Sequence, residues 1–305
     1  MKKKIFIYIA LSIVLAFFIY KSDFDFSLLL DITVPQFLGL STLSILGFFI
    51  GSLYFYTGFK IFGVKESFKN YFYYTVASYF LNYLPLKINL IFLGDFLRRK
   101  HGLGIKKYSV VILLNYLLIV SSAILLAFYL LLFDDISIFL SYFIDLKSKL
   151  PTVWIVLSLI LTIFLIILFV LKKKDRLNFF NLFEFYSLLK RNLVSILYLK
   201  LYVLLQILIF SGRLYIVFLS LGIDISFNQA LFFGLISNFS FLFNFTPGGI
   251  GVKESLLGSL TYITMGNFEV GVVASLLDRT INFLWVLIFG SFSLKTQLKE
   301  YVDEC

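Results

Sequence analysis

Long apolar runs separated by short polar segments recur along the whole chain. A helix needs about 20 apolar residues to cross roughly 30 Å of hydrocarbon. Runs that reach or approach this length predict six transmembrane helices, at Ile5–Tyr20, Gln36–Phe59, Ser109–Phe133, Pro151–Leu171, Leu193–Leu221 and Val270–Leu294. The first run follows three lysines, and no cleavage site for a signal peptidase precedes Lys21. We therefore expect it to stay in place as an uncleaved helix.

Two further apolar stretches are interrupted by helix-breaking residues. Asn70–Leu97 is broken at Pro85, and Phe227–Met265 is broken at Pro247-Gly248-Gly249. Proline inside a helix removes a backbone hydrogen bond and kinks or ends the helix. We predict that each stretch is a re-entrant hairpin that leaves the membrane on the side where it entered. For the second stretch, two complete helices joined by a cytoplasmic turn remain an alternative.

The composition excludes a protein that covers its surface with polar groups. Hydrophobic residues make up 60% of the chain and charged residues 14%, whereas soluble domains carry about 25% charged residues. We expect an integral membrane protein without a soluble catalytic domain. The motifs of zinc proteases, serine hydrolases and P-loop ATPases are absent from the sequence. The single cysteine, Cys305, cannot form an internal disulfide, and we expect His101, within a basic run, to be a solvated interfacial residue.

The basic residues are distributed as the positive-inside rule requires. With the N-terminus in the cytoplasm and both hairpins re-entrant, 20 of the 27 basic residues fall on the inner side and three on the outer side. This predicts a multi-pass protein of a bacterial or archaeal cytoplasmic membrane with both termini in the cytoplasm. The net charge of +10 is thereby explained without a nucleic-acid partner.

The two halves of the chain have the same order of elements: two crossings, a hairpin, and one more crossing. Three crossings are an odd number, so the second half is expected to be inverted relative to the first, as in many secondary transporters. We predict an all-α polytopic membrane protein with about six full transmembrane helices and two proline-broken re-entrant hairpins arranged as an inverted repeat. The whole chain, 1–305, forms one transmembrane domain with halves of about 1–150 and 151–305.

Seven ionisable residues lie inside the apolar stretches. A charge at the bilayer centre costs at least about 2.5–3.5 kcal/mol, so these positions demand an explanation. They are Lys87, Asp95, Arg213, Lys253, Glu254, Asp278 and Arg279. One interpretation is that they form internal ion pairs, with Asp278–Arg213 or Glu254–Arg279 as partners. The other is that they serve an anionic ligand, because the basic residues outnumber the acidic ones by one.

The segment Thr246–Glu254 combines a proline, three glycines and a Lys-Glu pair. Proline fits the first turn of a helix, and glycines let backbone amides approach a ligand closely. The N-terminus of a half-helix at Pro247 would favour a phosphate or carboxylate, and Lys253 would add a full charge. Glu254 would either pair with Lys253 when the site is empty or carry a proton.

This segment, followed by Asp278-Arg279 in the last helix, resembles the lysylphosphatidylglycerol synthase transmembrane (flippase-like) family. A weaker similarity runs from Pro85 through Gly94-Asp95 to Arg98-Arg99 and the basic loop after it. The resemblance implies translocation of an anionic or phosphate-containing lipid, either an aminoacylated phospholipid or a polyprenyl-phosphate-linked sugar. It does not imply aminoacyl transfer, which belongs to a soluble C-terminal domain. We expect none here, because the sequence ends eleven residues after Leu294.

We therefore expect a lipid flippase-like transporter that is not an enzyme and uses no cofactor or metal. The expected partners are membrane lipids and, beyond them, a separate lipid synthase or glycosyltransferase. The residues assigned to head-group binding are Pro247, Gly248, Gly249, Gly251, Lys253, Glu254, Arg213, Asp278, Arg279, Lys87, Asp95 and Arg98. Two alternatives remain: a polyprenyl-dependent glycosyltransferase that uses Asp23-Phe24-Asp25, or a non-catalytic membrane partner of a separate synthase.

Overall fold

The computed structural model describes residues 32–83, 88–133, 190–239 and 251–303. The regular elements in these ranges are all α-helices: α1 (Val34–Lys60), α2 (Phe68–Leu81), α3 (Ile88–His101), α4 (Ile105–Phe133), α5 (Leu193–Ser220), α6 (Phe227–Phe239), α7 (Val252–Met265) and α8 (Phe268–Asp303). The predicted spans Ile5–Tyr20 and Pro151–Leu171 and the tips around Pro85 and Pro247 lie outside the described residues.

Four of these helices are long and apolar enough to cross a membrane: α1, α4, α5 and α8. They confirm four of the predicted spans, with ends shifted by a few residues. Large apolar side chains cover their outer surfaces; Val34, Ile124 and Phe292 are each more than 60% exposed. Lipid tails solvate such a surface, whereas water would not. The chain is an all-α, multi-pass membrane protein.

The interrupted stretches contain short helices. α2 lies between the caps Ser67 and Asn82, and α7 lies between the caps Gly251 and Gly266. Each has 14 residues, which corresponds to about 21 Å at 1.5 Å per residue. A complete crossing needs roughly 30 Å. These lengths support half-membrane arms and disfavour two complete helices in the second stretch.

Both ends of the first hairpin lie together. Glu66, in the loop before α2, is 3.5 Å from the Nζ of Lys100 and 3.3 Å from the Nε2 of His101, both at the end of α3. The chain therefore returns to its starting point after the break at Pro85, as the hairpin prediction requires. The expectation that His101 is solvated is wrong, because its side chain is only 13% exposed within this cluster.

The described helices repeat one order of lengths. A long helix, two short helices and a long helix make up α1–α4, and the same order makes up α5–α8. The division of the chain into two similar halves stays a prediction, and so does the inverted orientation of the halves.

Two large buried apolar clusters each combine residues from both halves of the chain, and α5 contributes to both clusters. The first cluster includes Tyr54, Phe59 and Leu199, and the second includes Phe218 and Leu277. Helix α1 packs along α5, while α8 packs along both α7 and α2. Because Leu199 and Phe218 belong to the same helix, α5 joins the two clusters through apolar packing.

Helices α7 and α8 approach each other closely at two glycines. A Cβ atom added to Gly271 would overlap the backbone carbonyl oxygen of Leu257 and the hydroxyl of Thr261. A Cβ atom on Gly258 would lie 2.8 Å from the ring of Phe268. Small residues allow helix backbones to pack tightly in a membrane. The α7–α8 pair is therefore a tightly packed unit.

Replacing Gly271 with alanine is expected to destabilise the protein. The new methyl group meets backbone rather than a flexible side chain, so α7 and α8 must separate, and overpacking of this kind typically costs about 1–3 kcal/mol. Gly212→Ala is the matched control, since its Cβ would lie 3.4 Å from Leu43 Cδ1 in ordinary contact. Thermal unfolding of both variants in detergent measures the difference. Equal unfolding midpoints would contradict the close packing of α7 and α8.

The carboxyl group of Glu66 is held in its ionised form. Burial by itself raises its pKa, but hydrogen bonds from the Ser67 N–H and the Asn70 amide, together with the charges of Lys100 and His101, lower the pKa overall. A carboxyl group whose pKa is lower in the folded protein than in the unfolded chain stabilises the folded state at pH values above its ordinary pKa. This contribution is lost as the pH falls through the folded-state pKa.

We expect Glu66→Gln to lower the thermal unfolding midpoint at pH 7, with a difference from wild type that shrinks as the pH falls below the ordinary pKa of 4.5. The reason is that the protonated wild-type carboxyl group resembles the amide of the variant. Glu269→Gln, at an exposed position, serves as the control. A difference that stays constant from pH 7 down to about pH 3 would show that the charge of Glu66 does not contribute.

Candidate functional site

The carboxylate of Asp278 is the centre of a buried ion network. Arg213 on α5 donates from Nε to Oδ1 at 2.8 Å, and its Nη2 lies 2.6 Å from the same oxygen. Lys253 on α7 donates to Oδ2 at 2.8 Å. The side chain of Asp278 is 1% exposed. One carboxylate on α8 therefore binds cations from two other helices, and the Asp278–Arg213 pairing predicted from the sequence is confirmed.

A second ion pair connects the start of α7 to α8. Arg279 Nη2 lies 3.0 Å from Oε1 of Glu254, and the other oxygen of Glu254 accepts the N–H of Gly251 at 2.8 Å. The predicted Glu254–Arg279 pair is thus confirmed. The alternative in which Glu254 pairs with Lys253 is wrong for this structure, because Lys253 reaches across to Asp278.

The start of α7 differs in one respect from the sequence-based expectation. Gly251 is the N-cap, with φ at +90°, and the helix begins at Val252. The predicted helix start at Pro247 lies outside the described residues, so it stays a prediction. The positive φ suits glycine, which adopts this conformation at no steric cost. The N–H of Gly251, expected to be free for an anion, binds the protein's own Glu254 instead.

The network carries a surplus of one positive charge. It contains three basic residues and two acidic residues: Arg213, Lys253, Arg279, Asp278 and Glu254. The ring of Phe210 lies 4.1 Å from the Nζ of Lys253, and a desolvated cation–π contact stabilises by up to about 2 kcal/mol. The ammonium group is therefore held by a carboxylate on one side and an aromatic face on the other.

A cavity of about 260 Å³ lies beside this network. Its volume is well above the roughly 10–15 Å³ that one water needs. The described residues that line the cavity belong to α1, α2, α5, α6 and α8 or directly follow α2. Arg213 is the one charged residue among them. The lining residues are Ser44, Gly47, Phe48, Tyr79, Asn82, Tyr83, Gln206, Ile209, Phe210, Arg213, Asn238, Asn282 and Val286.

Both hairpins contribute to this cavity at the points where their first arms end. Asn82 and Tyr83 follow α2 directly, and Asn238 lies at the end of α6. Non-helical backbone at membrane depth is tolerated where it is buried in protein or lines a wet cavity. The first arms of the two broken stretches thus converge on one polar site.

Sequence reasoning missed the amide groups of the cavity because it searched for charges. A signal was present: Gln206, Phe210 and Arg213 are spaced four and three residues apart, which places them on one face of α5. Asn282 follows Asp278 by one helical turn and accepts a hydrogen bond from Nη1 of Arg213 at 3.1 Å. Uncharged polar residues at these spacings would have identified the wall of the cavity.

Two described residues of the predicted site, Asp95 and Arg98, are not brought to the network. Asp95 pairs with Arg98 and Arg99 at 2.8 Å each, on an exposed surface of α3, and neither Asp95 nor Arg98 lines the cavity. Four other predicted site residues lie outside the described ranges: Lys87, Pro247, Gly248 and Gly249. Their part in head-group binding stays a prediction.

Comparison with known proteins gives a partial match to a curated membrane protein. A curated relative, described as a UPF0104 membrane protein from Methanothermobacter thermautotrophicus, is 32% identical over 93 residues. The match covers 30% of this chain and 28% of the relative's length, so it spans a minor part of each protein. No solved structure matches the chain significantly.

The family match covers both cores, both hairpins and the ion network. The model of the lysylphosphatidylglycerol synthase TM region matches residues 5–290. This range contains the helices that supply Arg213, Lys253 and Asp278, as well as every described residue of the cavity lining. The chain belongs to the lysylphosphatidylglycerol synthase transmembrane-region family.

Proposed function

We propose that this protein is a flippase-like transporter that moves an anionic, phosphate-containing lipid between the two leaflets. The observation that carries the proposal is the polar cavity on which the first arms of both hairpins converge, with Arg213 on its wall. A phospholipid crosses a bilayer slowly because its head group must leave water. A membrane protein that offers a polar cavity bordered by a cation lowers that cost.

Arg213 is the residue best suited to meet the phosphate. Its guanidinium group is always charged and presents several donors in a fixed plane that matches phosphate oxygens. Its side chain is 11% exposed and lies on the wall of the cavity. Charge-assisted hydrogen bonds of this kind are about twice as strong as those between neutral groups.

Asp278 acts in this proposal as a resident counter-ion. In the structure it pairs with both Arg213 and Lys253, so neither cation is left without a carboxylate partner in a low-dielectric interior. A phosphate that enters the cavity competes with Asp278 for Arg213, and Lys253 continues to neutralise the carboxylate. Exchange of one anion for another changes the electrostatic energy far less than exposing an unpaired guanidinium, which makes binding and release reversible.

The proposal assigns no covalent chemistry to the chain itself. A separate lipid synthase or glycosyltransferase would produce the lipid, and this protein would carry it across a bacterial or archaeal cytoplasmic membrane. The described ion pairs and cavity support a binding and transport role. The positive-inside count supports a topology with both termini in the cytoplasm.

Leaflet exchange in proteoliposomes tests the transport proposal. Vesicles contain phosphatidylglycerol with a fluorescent acyl chain, and dithionite added outside bleaches only the label in the outer leaflet. We expect the full-length protein to increase the fraction of label that is bleached beyond the outer-leaflet half. A fraction equal to that of protein-free vesicles, for this lipid and for a polyprenyl-phosphate sugar, would contradict the proposal and favour a non-transporting partner subunit.

Arg213→Lys tests the role of the guanidinium group. The substitution keeps the positive charge but removes the planar pair of donors. A loss of about 1.4 kcal/mol in the free energy of phosphate binding corresponds to a tenfold weaker affinity. We expect exchange at least about tenfold slower than wild type. Arg99→Lys, on the exposed surface of α3, is the control and is expected to retain the wild-type rate. Equal lipid-exchange rates for Arg213→Lys and Arg99→Lys would show that the guanidinium group of Arg213 does not contribute to transport.

A further inference from the structure

The described lining of the cavity is rich in uncharged hydrogen-bonding groups. Four side-chain amides, three hydroxyl groups and one cation face it: Asn82, Gln206, Asn238, Asn282, Ser44, Tyr79, Tyr83 and Arg213. Amide and hydroxyl groups both donate and accept hydrogen bonds. Such a lining matches a ligand that also carries many donors and acceptors and little charge besides one anionic group.

The same lining lacks a carboxylate. Among the described residues that face the cavity none is acidic, and both oxygens of the nearby Asp278 are already bound by Arg213 and Lys253. The connections between α2 and α3 and between α6 and α7, residues 84–87 and 240–250, contain no Asp or Glu in the sequence. Neither connection can therefore supply a negative charge.

A cationic head group is poorly matched to this cavity. An ammonium group would lose its hydration, meet no free carboxylate among the described lining residues, and lie close to the guanidinium of Arg213. Burying an unpaired charge is strongly unfavourable, and like charges placed together add several kcal/mol of repulsion at a binding surface. A neutral hydroxyl-rich group would instead exchange its water for the amides and hydroxyls of the lining.

We propose that the cavity selects a phosphate ester whose remaining head group is an uncharged polyol or sugar, and that it discriminates against aminoacylated, cationic head groups. This inference rests on the proposed transport function. The phosphate binds at Arg213, and the hydroxyl groups bind the amides of α2, α5, α6 and α8. The glycerol of phosphatidylglycerol and the sugar of a polyprenyl-phosphate-linked sugar share this chemistry.

The test compares three lipids in the same proteoliposomes: tail-labelled phosphatidylglycerol, tail-labelled lysylphosphatidylglycerol and a labelled polyprenyl-phosphoryl glucose. We expect one or both neutral-headed lipids to exchange at least tenfold faster than the lysyl lipid, and the faster of the two identifies the source of the ligand. Exchange of the lysyl lipid as fast as both neutral-headed lipids, or faster, overturns the specificity while leaving the transport function in place. No exchange of any lipid contradicts the transport function and this inference with it.

A carboxylate introduced into the lining should relax the discrimination. Gln206→Glu has the same shape as wild type and places a negative charge on the wall, so we expect the ratio of lysyl-lipid to phosphatidylglycerol exchange to rise about tenfold. Gln229→Glu adds the same charge at the start of α6, away from the cavity, and is expected to leave the ratio unchanged. If Gln206→Glu is poorly folded, Asn238→Asp makes the same test. The proposal would be overturned if Gln206→Glu or Asn238→Asp folds and its ratio of lysyl-lipid to phosphatidylglycerol exchange equals that of Gln229→Glu.

Discussion

A carboxylate buried in the first third of the last helix is the constraint on which the second half of this protein depends. Asp278 is almost fully enclosed, and an ionised carboxylate in such a place is stable only when cations and hydrogen bonds surround it. Arg213 and Lys253 provide the cations, so α5 and α7 must both approach α8 at this depth. The apolar core around Phe218 and Leu277 stabilises an arrangement that this ion network specifies.

The cavity follows from the same constraint. Because Arg213 reaches from α5 to Asp278 and Asn282 on α8, its guanidinium spans the gap between two long helices instead of extending toward lipid. The hairpin arms α2 and α6 bring their polar ends to the adjoining space, where Asn82 and Asn238 lie on the wall and the amide of Asn238 donates to the carbonyl oxygen of Gly234. Ion pairing and the broken hairpins together produce a polar site inside an otherwise apolar bundle.

Much of the fold was predictable from the sequence, whereas the site was predictable only in part. Four spans and the short arms follow from the apolar runs, and the Arg213–Asp278 and Glu254–Arg279 pairs follow from the cost of isolated charges in lipid. The partner of Lys253 was not predictable, because the long helices are apolar on most sides and their sequence does not fix which face meets a neighbour. The start of α7 at Val252 depends on the backbone of Gly251, which a proline-based rule does not capture.

The glycine contact between α7 and α8 limits how the molecule can change shape. Without a side chain at Gly271, the two helices touch backbone to backbone, and both Lys253–Asp278 and Glu254–Arg279 lie within this pair. A rearrangement that keeps these contacts would move α7 and α8 together relative to α5. Among the described ion pairs, it would break those between Arg213 on α5 and Asp278 on α8.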